Sequence, residues 1–169
     1  MIRIHLMRSG EALPEGSAPN PGLGPVGRER LERSARTLLG LGLWFDLALF
    51  PPDSVPMQSA QAVLSVLADS QCRAVMDKRA RASASTEALL DLLRQEQARS
   101  ILIVSDVPLV TRIASRMLCG ENRSTPLVDI ALEHGGLLCL ETEAALDRKA
   151  KLLWSLPPIV LDGQASRRT

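Results

Sequence analysis

Apolar and polar positions alternate from the first residues. "IRIHLM" (2–7) has the period of a strand. "LPEGSAPNPGLGP" (13–25) is rich in Pro and Gly and reads as a loop. "VGRERLERSARTLLGLG" then predicts a helix, with Leu31, Ala35, Leu38 and Leu39 on one face and arginines opposite, stopped by Gly40 and Gly42. "FDLALF" (45–50) predicts a short strand ended by Pro51 and Pro52. A helix over about 57–68 would place Ala60, Val63, Leu64 and Leu67 together, and "CRAVM" (72–76) reads as a strand. Ser85 is placed to cap a helix over 86–97. "ILIV" (101–104) has the continuous apolar character of a strand covered on both faces. A helix over about 107–119 follows, with Leu109, Val110, Ile113 and Met117 inward, closed by Gly120. "LVDIAL" (127–132) is an extended segment or a strand, and "GLLCLET" (136–142) and "KLLWSL" (151–156) are spaced as a hairpin. The tail, about 162–169, is polar and expected to fray.

Strand and helix alternate through most of the chain. That order predicts an α/β fold, a three-layer α/β/α sandwich with a mostly parallel central sheet completed by an antiparallel hairpin. At 169 residues it reads as one domain, 1–169, with neither a repeat nor a linker.

Composition narrows the function classes. Twenty basic residues balance 19 acidic ones, for a formal charge of +1, which favours neither nucleic acid nor a membrane surface as partner. Two Phe, two Trp and no Tyr leave little for a base-stacking platform. No apolar run approaches the ~20 residues of a membrane span, and no leader pattern opens the chain, so a cytoplasmic protein is expected. Cys72, Cys119 and Cys139 are scattered, which fits buried thiols in a reducing compartment and offers no zinc spacing. No metal site and no cofactor are expected.

In an open α/β sheet the chemistry sits beyond the carboxyl ends of the strands. Two loops leave such ends: Arg8-Ser9-Gly10-Glu11, and Ser105-Asp106-Val107-Pro108 after "ILIV". They meet in one shallow site if the two strands are neighbours.

These residues resemble a family. "LMRSGEA" is similar to the "LMRHGEA" motif of the histidine phosphatase (phosphoglycerate mutase-like) superfamily, in its small phosphohistidine-phosphatase branch. The resemblance continues in order through "GLGPVGRERLERSARTLLGLGLWFDLALFPP", "MQSAQAVLSVL", "ILIVSDVPLVTRIASRMLCG", "GGLLCLE" and "LLWSLPPIVL". It implies a phosphoglycerate mutase-like fold without the large cap insertion of longer relatives. It also implies phosphoryl transfer through a phosphohistidine, with two arginines and a second histidine around the phosphoryl oxygens.

The sequence departs from that pattern where the chemistry would be. The nucleophilic histidine falls on Ser9, the second histidine on Asp106 with Ser105 at the preceding glycine, and the second arginine on Val55. The family's Thr of "PLT" falls on Gly24. Arg8, Ser9 and Gly10 therefore form a vestigial phosphate loop, with Glu11, Gln58, Ser105 and Asp106 as pocket neighbours and no catalytic position intact. A serine hydroxyl is a poor nucleophile without a base. His5 reads as a structural histidine on the first strand, and His134 as an exposed residue before the Gly-Gly turn. Asp106 reads as a cap for the following helix and as an ion-pair partner that would close the site over Arg8. Its role as a base for Ser9 is a third reading. Arg28, Arg30, Arg33 and Arg36 read as a solvated helix face, with docking of an acidic partner as the alternative; Asp129, Glu133 and Glu141 read as solvated charges. The expectation is a pseudophosphatase that binds or regulates, its partner a phosphorylated protein or small phosphorylated ligand. The alternatives are a phosphohydrolase with re-recruited residues and a structural subunit of an oligomer.

Overall fold

The computed structural model describes residues 1–169 except 18, 20, 68–70, 121–126, 129, 144, 145, 147, 148, 162 and 164–169. Asp129 and almost all of the polar tail lie outside the described residues. The elements are β1 (Ile2–Arg8), α1 (Pro25–Gly40), β2 (Leu47–Phe50), α2 (Ser54–Val66), β3 (Arg73–Met76), a 3-10 turn at Lys78–Ala80, α3 (Thr86–Gln95), β4 (Ser100–Ser105), α4 (Leu109–Cys119), β5 (Leu137–Thr142), β6 (Lys151–Leu156) and α5 (Pro158–Leu161).

The six strands form one sheet in the order β3-β2-β4-β1-β5-β6. Strands β3, β2, β4 and β1 run parallel, while β5 pairs antiparallel with β1 and β6 antiparallel with β5. This is the mostly parallel sheet with a closing hairpin that the strand–helix order predicts. Side chains of opposite parity along β1 enter opposite cores. Ile2, Ile4 and Leu6 pack with α3 and α4, where Leu89, Leu93, Val110 and Ile113 are buried. Met7 packs with α1 and α2, where Leu31, Ala35, Leu38, Ala60 and Val63 are buried. Each face of the sheet is thus covered, which fits the apolar Ile101–Val104 centre of β4 and its burial at every residue.

Several boundaries differ from the sequence expectations. Helix α2 begins at Ser54, so Pro56 sits in its first turn, where no intrahelical N–H is required of it. Leu39 is 54% exposed, because the buried stripe of α1 runs through Leu31, Ser34, Ala35 and Leu38. The described residues of 127–132 belong to no strand: Leu127 and Val128 lie in a bend and donate their N–H groups to the Ser115 hydroxyl. Cys139 is buried, and burial pushes its thiol up to about 11, but Cys72 and Cys119 are only half-buried. Ser85 caps α3, and Gly120 closes α4 with φ +78°. Arg28 and Arg36 of α1 are exposed as expected, but Arg30 and Arg33 are half-buried; Arg33 pairs with Glu29 and Arg36 with Glu32, one turn apart. No helix among the described residues is long and apolar enough to cross a membrane.

Candidate functional site

Parallel pairing of β1 with β4 brings Arg8 opposite Ser105, so the two loops leave the sheet side by side. The Ser9 N–H donates to the Ser105 carbonyl at 2.9 Å, extending the ladder one residue past the strands. The chain then turns into a close-packed corner. Gly10 donates its N–H to the Ser59 hydroxyl at 3.0 Å, and that hydroxyl donates to the Val55 carbonyl at 2.7 Å. A Cβ at Gly10 would lie 2.6 Å from Leu23 and 2.8 Å from Leu31, so only glycine fits there without repacking.

The side chain of Ser9 is fully buried. Its hydroxyl donates to Oδ1 of Asp106 at 2.5 Å. The same oxygen lies 4.0 Å from Nε of Arg8, so the expected Arg8–Asp106 ion pair is present at the outer limit of contact. Most of the guanidinium is engaged elsewhere. Nη1 donates to the Leu132 carbonyl at 3.0 Å, and Nη2 lies 3.1 Å from Nε2 of His134.

His134 is the residue that sequence reasoning missed. It is exposed, yet its ring bridges Arg8 and the Ser9 carbonyl, which lies 3.1 Å from Nδ1. A guanidinium only donates and a carbonyl only accepts, so the neutral Nδ1–H tautomer satisfies both contacts at once. The neighbouring Gly135, at φ +78°, returns its N–H to the carbonyls of Arg8 and Ser9. The Gly-Gly pair was the only local signal that this loop folds back onto the first strand.

Asp106 does not cap α4. That helix starts at Leu109 and has no side-chain cap, while the Asp106 carboxylate turns toward Ser9 and Arg8. Ser105 points away from the site: its hydroxyl donates to the Ala80 carbonyl at 2.5 Å. Gln58 fixes the loop before α1 by accepting from the Leu23 N–H at 2.7 Å. Glu11 is exposed, and its carbonyl accepts from the Gly24 N–H.

Val55 and Asp106 line one cleft of about 290 Å³, with Asp53, Pro21, Pro56 and Ala82. Arg8 and Ser9 are not among its lining residues; Arg8 borders a separate surface depression beside Leu132 and Glu133. The cleft beside Val55 therefore carries two carboxylates. Asp53 is paired with Arg81 at 3.2 Å. Among the described residues no group of three His, Cys, Asp or Glu side chains could hold a metal ion.

No protein-family model and no curated protein matches the sequence. The structure does find similar folds: it has the phosphoglycerate mutase-like α/β fold seen in histidine phosphatases. The protein histidine phosphatase SixA, solved with tungstate, is similar with a TM-score of 0.78 at 20% identity, covering 95% of this chain and 99% of that one. A mycobacterial glucosyl-3-phosphoglycerate phosphatase, solved with VO3, gives 0.69 at 12% identity over 93% and 100% of the two chains. A histidine-to-alanine mutant of the Entamoeba histolytica phosphoserine phosphatase, in complex with phosphoserine, gives 0.67 at 13% over 94% and 98%.

Proposed function

We propose that this chain is a catalytically silent protein of the histidine phosphatase fold, a pseudophosphatase with a binding or regulatory role. The observation that carries this reading is the burial of Ser9 with its hydroxyl committed to Asp106 at 2.5 Å. The residue at the nucleophile position is covered, and a carboxylate fills the place where a phosphoryl group would need cations. Arg8 is the only cation of the family's pocket pattern that remains, and its guanidinium is held by Leu132, His134 and Asp106. A phosphorylated protein or small phosphate ester, the partner class that the structural relatives suggest, would have to displace Asp106 from Arg8.

The test offers the purified protein an aryl phosphate and a phosphohistidine peptide. No turnover above that of an Arg8→Ala variant is expected. Turnover that Arg8→Ala abolishes would overturn the reading. It would favour a second one, a phosphohydrolase in which Asp106 takes the proton of Ser9 as the hydroxyl attacks phosphorus, the bond from phosphorus to the aryl oxygen breaks and the phenol leaves, and water then hydrolyses the phosphoserine to release phosphate. The short Ser9–Asp106 hydrogen bond is the observation in that reading's favour. Asp106→Asn would then abolish turnover, because an amide cannot take that proton.

A further inference from the structure

The two groups that meet the ring of His134 fix its protonation state. Nη2 of Arg8 lies 3.1 Å from Nε2, and the Ser9 carbonyl lies 3.1 Å from Nδ1. A guanidinium brings only donors, so Nε2 must be bare, and the carbonyl takes the proton of Nδ1. A second proton can go only to Nε2. There it sets N–H against N–H and cation against cation at hydrogen-bond distance. The bond to Ser9 survives, because Nδ1 keeps its proton. The backbone holds as well, since the Gly135 N–H donates to the carbonyls of Arg8 and Ser9. Protonation therefore breaks one contact, the one with Arg8.

That contact is open to solvent. His134 is exposed, and Arg8 lines a surface depression of about 400 Å³ with Thr111, Leu132 and Glu133. The charged groups around the pair are few. Arg8 faces the ring from β1, with Asp106 on the far side of the guanidinium, 4.0 Å from Nε. Asp106 lines the separate cleft beside Val55 and not this depression. Glu133 precedes His134 in the chain and stands in the depression. Helices α1 and α5 present Leu31 and Pro158 to the adjoining Gly135. An oxyanion entering from the depression thus meets Arg8 on the side away from Asp106.

We propose that His134 is a proton-operated latch on Arg8. Neutral, it holds the guanidinium through Nη2. Protonated, it lets go and stands beside Arg8 as a second cation, and the pair takes up a divalent oxyanion. The proposal rests on the reading of this site as one that binds without turnover. Linkage then runs both ways: the anion must bind more tightly as pH falls, and its presence must make His134 easier to protonate.

The chain has two histidines, so both imidazoles can be followed by NMR. Burial pushes His5 down to about 4, which leaves His134 as the imidazole to follow over about pH 5–8, the range in which histidines change charge. The probe is sulfate, a dianion throughout that range. At constant ionic strength, replacing chloride by sulfate should raise the His134 midpoint by about one pH unit. Sulfate should bind about tenfold more tightly at the acid end of the range than at the alkaline end, the scale of one charge-assisted hydrogen bond. His134→Gln, which cannot take up the proton, should remove this pH dependence; Glu133→Gln should keep it, and Arg8→Ala should remove sulfate binding. Equal midpoints in sulfate and chloride, an affinity that does not rise as pH falls, the same rise in His134→Gln, or its loss in Glu133→Gln would overturn the proposal. Aryl phosphate turnover would overturn the pseudophosphatase reading and leave the sulfate result unchanged, so the two fail separately.

Discussion

Replacing Asp106 by Asn should turn a closed site into one that binds inorganic phosphate. The substitution keeps the shape of the side chain and removes one negative charge 4.0 Å from Nε of Arg8. At an effective dielectric near 20, a unit charge pair at that distance is worth about 4 kcal/mol. Both side chains retain some exposure, 24% for Arg8 and 30% for Asp106, so water and salt reduce that figure. About half of it, or ~2 kcal/mol, is a reasonable remainder, equivalent to roughly thirtyfold in affinity. The carboxylate also repels an incoming oxyanion, an effect of the same sign. Titration calorimetry or phosphorus NMR of wild type and Asp106→Asn at low ionic strength would measure the difference. The gain should shrink as salt is added, and Arg8→Ala in the Asn background should abolish it. Wild-type protein that binds phosphate as tightly as the variant would refute the argument, because the carboxylate would then not be occupying the site.

Three further outcomes are expected. Restoring Ser9→His, Val55→Arg and Asp106→His together should produce weak aryl phosphatase activity, while each single reversion should not; a folded triple variant with no turnover would show that the scaffold has lost more than these side chains. The folded-state value of His5, about 4, lies below the 6.5 of an ordinary histidine, so its contribution to stability is complete above pH 6.5 and is lost as pH falls toward 4. That gap corresponds to about 3 kcal/mol, and urea unfolding across this window should show a slope that His5→Leu removes. Gly27→Ala should destabilise by about 1–3 kcal/mol in thermal or urea unfolding, since the new Cβ would lie 2.6 Å from the backbone oxygen and 2.9 Å from the backbone nitrogen of Glu11.

The elements that the sequence made legible are those set by local periodicity. Strand β4 announced its double burial through four consecutive apolar residues, and Ser85 and Gly120 marked helix ends by their own chemistry. The pairing of β1 with β4 was available only as a condition, and the structure meets it. What stayed hidden depended on contacts far along the chain. His134 reaches Arg8 across 126 residues, and the adjacent Gly-Gly pair signals only that the loop turns, not which side chain it meets. Asp106 looked like a helix cap because Pro108 suggested an early start, but the helix begins at Leu109 and frees the carboxylate for Ser9. Gln58, read as a pocket neighbour, holds the backbone of Leu23 instead. The 3-10 turn at Lys78–Ala80 and the short α5 carry too few residues for a periodic signal.

The position of β1 has a consequence for how the protein comes into being. This strand precedes both of its neighbours in the chain, yet it lies between β4 and β5, and its register joins Arg3 to Ser100 on one side and to Glu141 on the other. On the ribosome Ile4 therefore waits for Ile101 of β4 and then for Leu140 of β5, the kind of long-range pairing that slows folding. The contact of Ser9 with Asp106 and those of Arg8 with Leu132 and His134 can form only once most of the chain has left the exit tunnel. Pulse-labelled hydrogen exchange during refolding should show the amides of β1, β4 and β5 gaining protection together, in a single late step.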